Sequence, residues 1–366
     1  MTRRLLAFSL IALAPTSLLA QHYKITDLSV GSPLPMDSLA YGISGNGKVT
    51  GTGTDPNTGE LHAFVYQAGV FQDLGDYGYL YGADGIRIND NGQVAGTGYG
   101  PGYHAVLYSN GKVKALGSID GGSTSAWGMN NSGDIVGRGI NGDGGGQGFS
   151  YIGGKFSALN VDIARGINDN DQYVGSMGYT WVYGGYLHEV EHAFVDNNGV
   201  NTELGDIGGG LRTNTEAFSI NNSGKVTGYS TAADGTLHAF LFSNGVMSDL
   251  GGYQQFDTFG LSINNAGQVA GNIETPYGGQ IDGFLYSNGK MNTLTDLLGP
   301  GGAAWSQLTI NQMNDSGWIV GYGTIDGATH GFLAKPVPEP ASLLACGVAT
   351  LGLLRRRINK TRPQCP

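Results

Sequence analysis

Five consecutive residues match the pattern of a zinc protease. His188, Glu189, Val190, Glu191 and His192 fit H-E-x-x-H, in which two histidines hold the metal and the first glutamate acts as a general base. That chemistry requires a helix, because residues four apart then share one face. His192, however, begins a strand by its place in a repeat described below, and in a strand the two histidines would lie about 13 Å apart. We therefore interpret the segment as a strand and not as a metal site.

A histidine recurs at corresponding positions of the chain, and such a set suggests a ring of metal ligands. The positions are His62, His104, His192, His238 and His330. Gln147 and Asp282 occupy the same place in two other copies, and glutamine is a poor metal ligand although all three side chains form hydrogen bonds. The pattern thus predicts a structural hydrogen bond between strands or loops.

Two other segments resemble ligand-binding loops less closely. Residues 137–142 fit the dinucleotide pattern G-x-G-x-x-G, but more glycine follows instead of a helix. Residues 55–60 contain part of a calcium loop without its full ligand set, so a hairpin loop is the better interpretation. The sequence also lacks a G-x-S-x-G nucleophile motif. We predict no catalytic, cofactor-binding or metal-binding residues and no cofactor.

The recurring histidine belongs to a phrase that is repeated seven times, about every 45 residues, which indicates one repeated structural unit. In each copy a first strand ends at an isoleucine or methionine: Ile43, Ile88, Met129, Ile167, Ile220, Ile263 and Met313. A tight turn follows, in which a glycine, or Asp171 in one copy, tolerates positive φ. The second strand is predicted to be short and to end at a glycine, as at residues 49–51, 94–96 and 135–137.

The third strand carries the sequence His-Ala-Phe in its most complete copies. Its second position is small in all seven copies: Ala63, Ala105, Gly148, Ala193, Ala239, Gly283 and Gly331. Its third position is large and apolar: Phe64, Val106, Phe149, Phe194, Phe240, Phe284 and Phe332. Because successive residues face opposite sides of a strand, this alternation predicts a strand that is buried on both faces. A glycine turn and a fourth strand follow.

Four short antiparallel strands per copy form one blade of a β-propeller. The seventh copy runs into Pro336 without a fourth strand, and a strand of the expected kind lies near the N-terminus at residues 23–28. We therefore predict an all-β, seven-bladed β-propeller of four-stranded antiparallel blades at residues 21–335. Its ring would be closed by the N-terminal strand, which completes the last blade and removes exposed sheet edges.

The charge of this body excludes one class of partner. Residues 21–336 contain 12 Lys and Arg against 28 Asp and Glu. A body this acidic repels phosphate backbones and anionic lipid surfaces, so we predict no nucleic-acid partner. The only cysteines, Cys346 and Cys365, lie in the tail, so packing and strand pairing must stabilise the body.

Both ends have the composition of sorting segments. At residues 1–20, Arg3 and Arg4 precede an apolar run, and Ala20 is a small residue at the expected cleavage position. This pattern predicts a secretory signal peptide. The alternative is a membrane anchor, for which the apolar run is short. The tail, residues 336–366, combines a Pro-Glu-Pro motif, an apolar stretch at residues 341–354 and three arginines. These motif residues are Pro338, Glu339, Pro340, Arg355, Arg356 and Arg357. The stretch is short for a spanning helix, so we expect no tight permanent anchoring.

The tail resembles the PEP-CTERM sorting signal of Gram-negative bacteria, although this chain continues past the arginines through residues 358–366. The resemblance implies transient inner-membrane anchoring by the C-terminal helix, processing by an exosortase and a final location at the cell surface or outside the cell. It also implies an association with exopolysaccharide and biofilm. The repeated phrase is similar to the extracellular HAF repeat and is intact at His62, His192 and His238. That resemblance implies a surface location and no established chemistry.

A blade of this kind has two unlike rims. The connections between strands one and two and between strands three and four lie on what we call the turn rim, and they are uniform. The others lie on the variable rim, and they differ widely at residues 55–60, 96–103, 142–147, 176–191 and 275–280. Because long irregular loops on a rigid frame commonly bind ligands, we predict that the variable rim is the binding surface.

Two aromatic segments on the variable rim supply candidate glycan contacts. They are Tyr77, Tyr79 and Tyr81, and Tyr179, Trp181, Tyr183 and Tyr186. Rings beside Asn and Asp can stack on sugar faces while the polar groups bind hydroxyls. The alternative is an extended hairpin whose alternate rings pack on a neighbouring blade.

The sequence favours an exported, non-catalytic surface or matrix protein that binds exopolysaccharide or another envelope component. One alternative is a propeller hydrolase or lyase acting on polysaccharide, which needs paired carboxylates with shifted pKa values in a pocket. The other is a purely structural coat protein without a specific ligand, which should self-associate and tolerate substitution of Trp181 or Tyr183.

Overall fold

The computed structural model describes residues 22–34, 36–183, 186–208 and 213–337, without the side chains of residues 36 and 181–189. The chain divides into two units, Met1–His22 with Val337–Pro366, and Tyr23–Pro336. The described residues include no helix long and apolar enough to cross a membrane. The predicted signal peptide, the apolar stretch at residues 341–354 and the six motif residues of the tail lie outside the described residues.

The unit Tyr23–Pro336 consists of seven four-stranded antiparallel sheets, which confirms the predicted propeller. Blade 1 contains β2 (Met36–Ile43), β3 (Val49–Thr54), β4 (Leu61–Gln67) and β5 (Val70–Gly75). Blade 2 contains β6 (Ala83–Ile88), β7 (Val94–Tyr99), β8 (Tyr103–Ser109) and β9 (Lys112–Ala115). Blade 3 contains β10 (Thr124–Met129), β11 (Ile135–Ile140), β12 (Gly146–Ile152) and β13 (Lys155–Ala158). Blade 4 contains β14 (Ile163–Ile167), β15 (Tyr173–Tyr183), β16 (Tyr186–Asn197) and β17 (Val200–Glu203). Blade 5 contains β18 (Thr215–Ile220), β19 (Val226–Thr231), β20 (Leu237–Ser243) and β21 (Val246–Asp249). Blade 6 contains β22 (Asp257–Ile263), β23 (Val269–Glu274), β24 (Gln280–Ser287) and β25 (Lys290–Thr293). Blade 7 contains β26 (Ser306–Met313), β27 (Ile319–Ile325), β28 (Ala328–Pro336) and β1 (Tyr23–Asp27), and α1 (Leu294–Leu298) with a 3₁₀ turn (Gly299–Gly302) precedes it.

The N-terminal strand closes the ring as predicted. β1 pairs antiparallel with β28, so that Tyr23 lies opposite Pro336 and Asp27 opposite Phe332. Blade 7 is in turn hydrogen-bonded to blade 1, because Gln312 Oε1 accepts the backbone N–H of Ile43 at 2.8 Å. The last blade is therefore assembled from both ends of the unit, and its inner strand contacts the first blade.

The recurring glycine of the second strand is required by a β-bulge in the first strand. In blade 6 the register shifts between Gly260 and Ser262, and the carbonyl oxygen of Phe259 lies 1.8 Å from where a Cβ atom on Gly271 would be. The equivalent distance is 1.8–2.1 Å in every blade, at Gly51, Gly96, Gly137, Gly175, Gly228, Gly271 and Gly321. The prediction that the second strand ends at this glycine was wrong, since β3, β7 and β11 each continue for three residues beyond it. The glycine allows a close approach of two strands rather than a turn.

The third strands are buried on both faces, as their alternation predicts. The large residues at the third position are at most 1% exposed, and the alanines beside them are 0% exposed. Apolar clusters join the faces of neighbouring blades, as where Phe64 and Val49 of blade 1 meet Leu333 of blade 7. The hydrophobic core therefore lies between the blades. Burial of each such phenylalanine side chain contributes about 1.5–3 kcal/mol to the stability of the fold.

On the turn rim, an asparagine that follows the first strand links five of the seven blades to the next. Asn221 Oδ1 accepts the N–H of Lys225 at 3.0 Å within its own turn, and its Nδ2 donates to the carbonyl oxygen of Asn264 at 2.9 Å. The same link between blades runs from Asn89 to Asn130, from Asn130 to Asn168, from Asn168 to Asn221 and from Asn314 to Ser44. The repeated Asn thus connects most of the neighbouring blades on this rim. The turn residues adopt positive φ as predicted, including Asp171 at 58°.

Candidate functional site

Four of the five recurring histidines form a structural hydrogen bond, as the sequence predicts, whereas His104 stacks on Tyr79. The bond joins strand three to an acidic residue of strand four within one blade. The Nδ1 atoms of His62, His192, His238 and His330 lie 2.8–3.3 Å from the carboxylates of Asp73, Glu203, Asp249 and Asp27, respectively. At the same place Gln147 Nε2 donates to the carbonyl oxygen of Leu159 at 3.0 Å. Among the described residues, no group of His, Cys, Asp and Glu is arranged to hold a metal ion.

The other motif-like segments also have structural explanations. The H-E-x-x-H segment lies within β16, so it is a strand as predicted. Part of the glycine-rich segment, residues 137–140, lies in β11. Asp55 donates its N–H to the carbonyl oxygen of Glu60 at 2.9 Å, and its Oδ1 accepts the N–H of Asn57 at 2.9 Å. Its carboxylate therefore stabilises a hairpin loop.

The first aromatic segment lies between blades 1 and 2 in a series of turns. Tyr77 stacks at 6.3 Å from the ring of Tyr108 and has a buried hydroxyl without a partner among the described residues. Tyr79 stacks on His104 at 5.4 Å. Tyr81 is 60% exposed. Of these three rings, Tyr81 is thus the one that projects into solvent.

The second aromatic segment is an extension of blade 4. β15 and β16 pair continuously from Tyr173 with Asp196 to Tyr183 with Tyr186, so the prediction of an irregular loop at residues 176–191 was wrong and the segment is the extended hairpin of the alternative. Aromatic and β-branched residues are frequent here, and they favour strands. Trp181, Tyr183 and Tyr186 lie on the described backbone, but their side chains are outside the described part of the structure.

A cleft on the variable rim lies between blades 3 and 4. Its volume is about 420 Å³. Polar residues of blade 3 and of its connection to blade 4 line it together with one aromatic ring of blade 4: Asn141, Gln147, Asn160, Asp162 and Tyr179. The cleft therefore places one of the predicted glycan contacts beside amide and carboxylate groups.

The ring of Tyr179 is held in a fixed orientation. Its hydroxyl donates to Glu203 Oε1 at 2.5 Å, and its centroid lies 4.6 Å from the imidazole of His192. The same Glu203 carboxylate bonds His192 through Oε2 at 3.3 Å. The hydrogen bond to Glu203 raises the pKa of Tyr179 and lowers that of Glu203, so phenol and carboxylate are the stable forms. With one side against His192 and 39% of its surface exposed, the ring borders the cleft.

The polar groups of the cleft retain unused hydrogen-bonding capacity. Asn160 is exposed and its side chain forms no hydrogen bond within the described part of the chain. Asp162 accepts the N–H of Gly178 through Oδ2, which leaves Oδ1 available. Amide groups donate and accept, whereas a carboxylate only accepts, so together they match a ligand rich in hydroxyl groups.

Sequence reasoning identified Tyr179 but not its polar neighbours. Asn141, Asn160 and Asp162 are ordinary loop residues that come together only when two blades pack. Gln147 alone carried a signal, because it replaces the recurring histidine.

No known protein family and no curated protein matches this sequence. Similar solved structures include the Aleuria aurantia lectin in complex with Fucα1-6GlcNAc, with 13% identity, 83% of this chain and 97% of that chain covered, and a TM-score of 0.37. AofleA from Arthrobotrys oligospora has 10% identity, coverages of 75% and 90%, and a TM-score of 0.36. TolB from Acinetobacter baumannii has 10% identity, coverages of 83% and 65%, and a TM-score of 0.37. Likenesses this distant carry no argument about function.

Proposed function

We propose that this protein is a non-catalytic polysaccharide-binding protein of the cell surface or extracellular matrix, and that the cleft between blades 3 and 4 is its binding site. The observation that supports the proposal is the fixed ring of Tyr179 beside the unused polar groups of Asn160 and Asp162. A sugar can place its C–H face on the ring and its hydroxyl groups on the amide and the carboxylate. Because the ring is already held by Glu203, little conformational entropy is lost on binding.

Weak binding at a single cleft suits a matrix protein. A polysaccharide repeats its sugar many times, and many protein molecules at one surface can bind one polymer. The effective concentration after the first contact then raises the overall affinity by orders of magnitude without further contacts.

The composition of the cleft favours binding over cleavage. Glycoside hydrolysis commonly uses two carboxyl groups on either side of the scissile bond. The described lining of the cleft includes one, Asp162, which already accepts the N–H of Gly178. Glu203 lies behind the ring and bonds Tyr179 and His192. The hydrolase alternative therefore has no specific observation in its favour.

We further propose that the protein is exported and that an exosortase removes its tail. The support is the order of Pro338, Glu339, Pro340, the apolar stretch and the arginine cluster in the sequence. Mass spectrometry of the protein from cells with and without the exosortase should show loss of the arginine cluster only when the enzyme is present. An unchanged C-terminus in both strains would contradict this part of the proposal.

The binding proposal can be tested with the full chain and the matrix polysaccharide of the producing cell. Tyr179→Ala should weaken binding about tenfold, or about 1.4 kcal/mol, as expected when an aromatic anchor is truncated. Tyr179→Phe keeps the ring and should retain most of the affinity. Tyr277→Ala is the matched control, because Tyr277 is 99% exposed in the connection between β23 and β24 on the same rim but outside the cleft. An affinity that is equal in Tyr179→Ala and the wild type, or no binding to any polysaccharide on a glycan array, would contradict the proposal.

A further inference from the structure

Two arginines border one cavity in the centre of the ring. The first strands of the blades line this central channel, which contains a cavity of about 120 Å³. Arg87 comes from β6 in blade 2, and Arg165 comes from the bulge of β14 in blade 4. The two cations thus share a cavity at the centre of a body that is otherwise strongly acidic.

Arg165 is fixed by three neighbours. Its Nε donates to Glu216 Oε1 at 2.5 Å, and its guanidinium carbon lies 4.1 Å from the ring of Trp127 and 4.9 Å from that of Phe218. These contacts set the plane of the guanidinium group. Its two terminal nitrogens have no hydrogen-bond acceptor among the described residues, so they remain available to the cavity.

Arg87 has no carboxylate partner in the described part of the protein. Its Nη1 donates to the carbonyl oxygen of Ile86 at 2.9 Å and lies 3.5 Å from that of Tyr41. Burial and the nearby charge of Arg165 lower the pKa of Arg87 to about 10, which leaves it protonated at neutral pH. Among the described residues, Glu216 balances the charge of Arg165, and no carboxylate is bonded to Arg87.

Both guanidinium groups are partly buried, and a charge withdrawn from water is costly unless it is paired and hydrogen-bonded. Guanidinium groups satisfy this need best with planar or tetrahedral oxyanions, which accept two parallel N–H bonds. We propose that the central channel binds a small oxyanion, a carboxylate or a phosphate, between Arg87 and Arg165. This site lies on the inner strands and is separate from the cleft at Tyr179, so it does not depend on the proposed function.

The test is a thermal unfolding titration of the full chain with sodium acetate and sodium phosphate at constant ionic strength, with sodium chloride as the reference salt. Because a ligand that binds only the folded state raises the melting temperature in a saturable way, at least one of the two anions should do so. A response to acetate alone indicates a carboxylate ligand, and a response to phosphate alone indicates a phosphate ligand.

Arg87→Gln should weaken this response at least tenfold in apparent dissociation constant. Arg138→Gln is the matched control, because Arg138 is an exposed arginine of β11 that does not border the cavity. If Arg87→Gln does not fold, Arg87→Lys keeps the charge without the two-pronged geometry and should still bind more weakly than the wild type. The proposal is overturned if neither anion exceeds chloride, or if the Arg87 variant and Arg138→Gln respond alike.

Discussion

Replacement of Asp27 by alanine should loosen the strand that closes the ring. Asp27 Oδ2 lies 2.8 Å from His330 Nδ1, and its Oδ1 accepts the N–H of Ser29 at 2.8 Å. The side chains of Asp27 and His330 are 19% and 22% exposed, so the interaction between them is worth about 1 kcal/mol. The bond to the backbone adds about 1 kcal/mol, for a total loss of about 2 kcal/mol.

Asp249→Ala is a closely matched control for this variant. Asp249 bonds His238 Nδ1 at 3.0 Å and accepts the N–H of Gly251 at 2.7 Å, so the same two interactions are lost. Its strand, β21, is joined to β20 by a two-residue turn at Asn244 and Gly245, both with positive φ. β1 has no such turn to β28, because the two strands come from opposite ends of the unit. We therefore expect similar losses of global stability but different local effects.

Amide hydrogen exchange separates the local effect from the global one. In Asp27→Ala, the amides of Lys24 and Thr26, which face β28, should exchange about 30-fold faster, since 1.4 kcal/mol corresponds to a factor of ten. In Asp249→Ala their exchange should be unchanged, while urea unfolding shows a similar loss of stability in both variants. Exchange of β1 at the wild-type rate in Asp27→Ala, or equal acceleration in both variants, would show that Asp27 does not hold this strand in place.

Two further predictions concern glycine packing and a buried carboxyl group. Gly271→Ala should destabilise the protein by about 3 kcal/mol in urea unfolding, because its Cβ would lie 1.8 Å from the carbonyl oxygen of Phe259. The control Gly301→Ala, whose Cβ would have no atom within 4 Å, should change the stability by no more than about 0.5 kcal/mol. Equal effects of the two substitutions would contradict the role given to the bulge. Burial raises the pKa of Asp84 from 3.8 to about 6, although Tyr99 donates a hydrogen bond to it. The contribution of the protonated Asp84 to stability is therefore complete below pH 4 and is lost as the pH rises through 6, because the unfolded chain releases this proton at a lower pH than the folded one. Asparagine does not titrate, so the stability of Asp84→Asn relative to the wild type should increase by roughly 3 kcal/mol between pH 4 and pH 7. A difference that does not change with pH would show that Asp84 does not titrate in this way.

The fold could be predicted because each blade repeats the same local signals. The ends of the first strands at Ile43 and its six equivalents, the small and large pair at Ala63 and Phe64, and the incomplete seventh copy all describe features within one blade. The end of the second strand was misplaced because a glycine that permits close approach looks, in the sequence, like a glycine that ends a strand. Only the carbonyl oxygen of a bulged neighbouring strand distinguishes the two at Gly51.

The candidate site was predicted less completely because it depends on contacts between strands of one blade and between neighbouring blades. Tyr179 stood out as an aromatic residue, but its fixed orientation depends on Glu203, which lies on a different strand of the blade. Asn160 and Asp162 carry no periodic signal. Arg165 occupies a bulge position, where the period of two is interrupted, so its orientation toward the channel could not be predicted from strand alternation.

Hydrogen-exchange footprinting of the full chain with its matrix polysaccharide shows whether the cleft between blades 3 and 4 is the binding site. We expect protection of residues 141–147, 159–162 and 177–179, the three segments that border the cleft, and no change at residues 55–60 on the same rim. Protection restricted to the turn rim, or none at saturating polysaccharide, would contradict it.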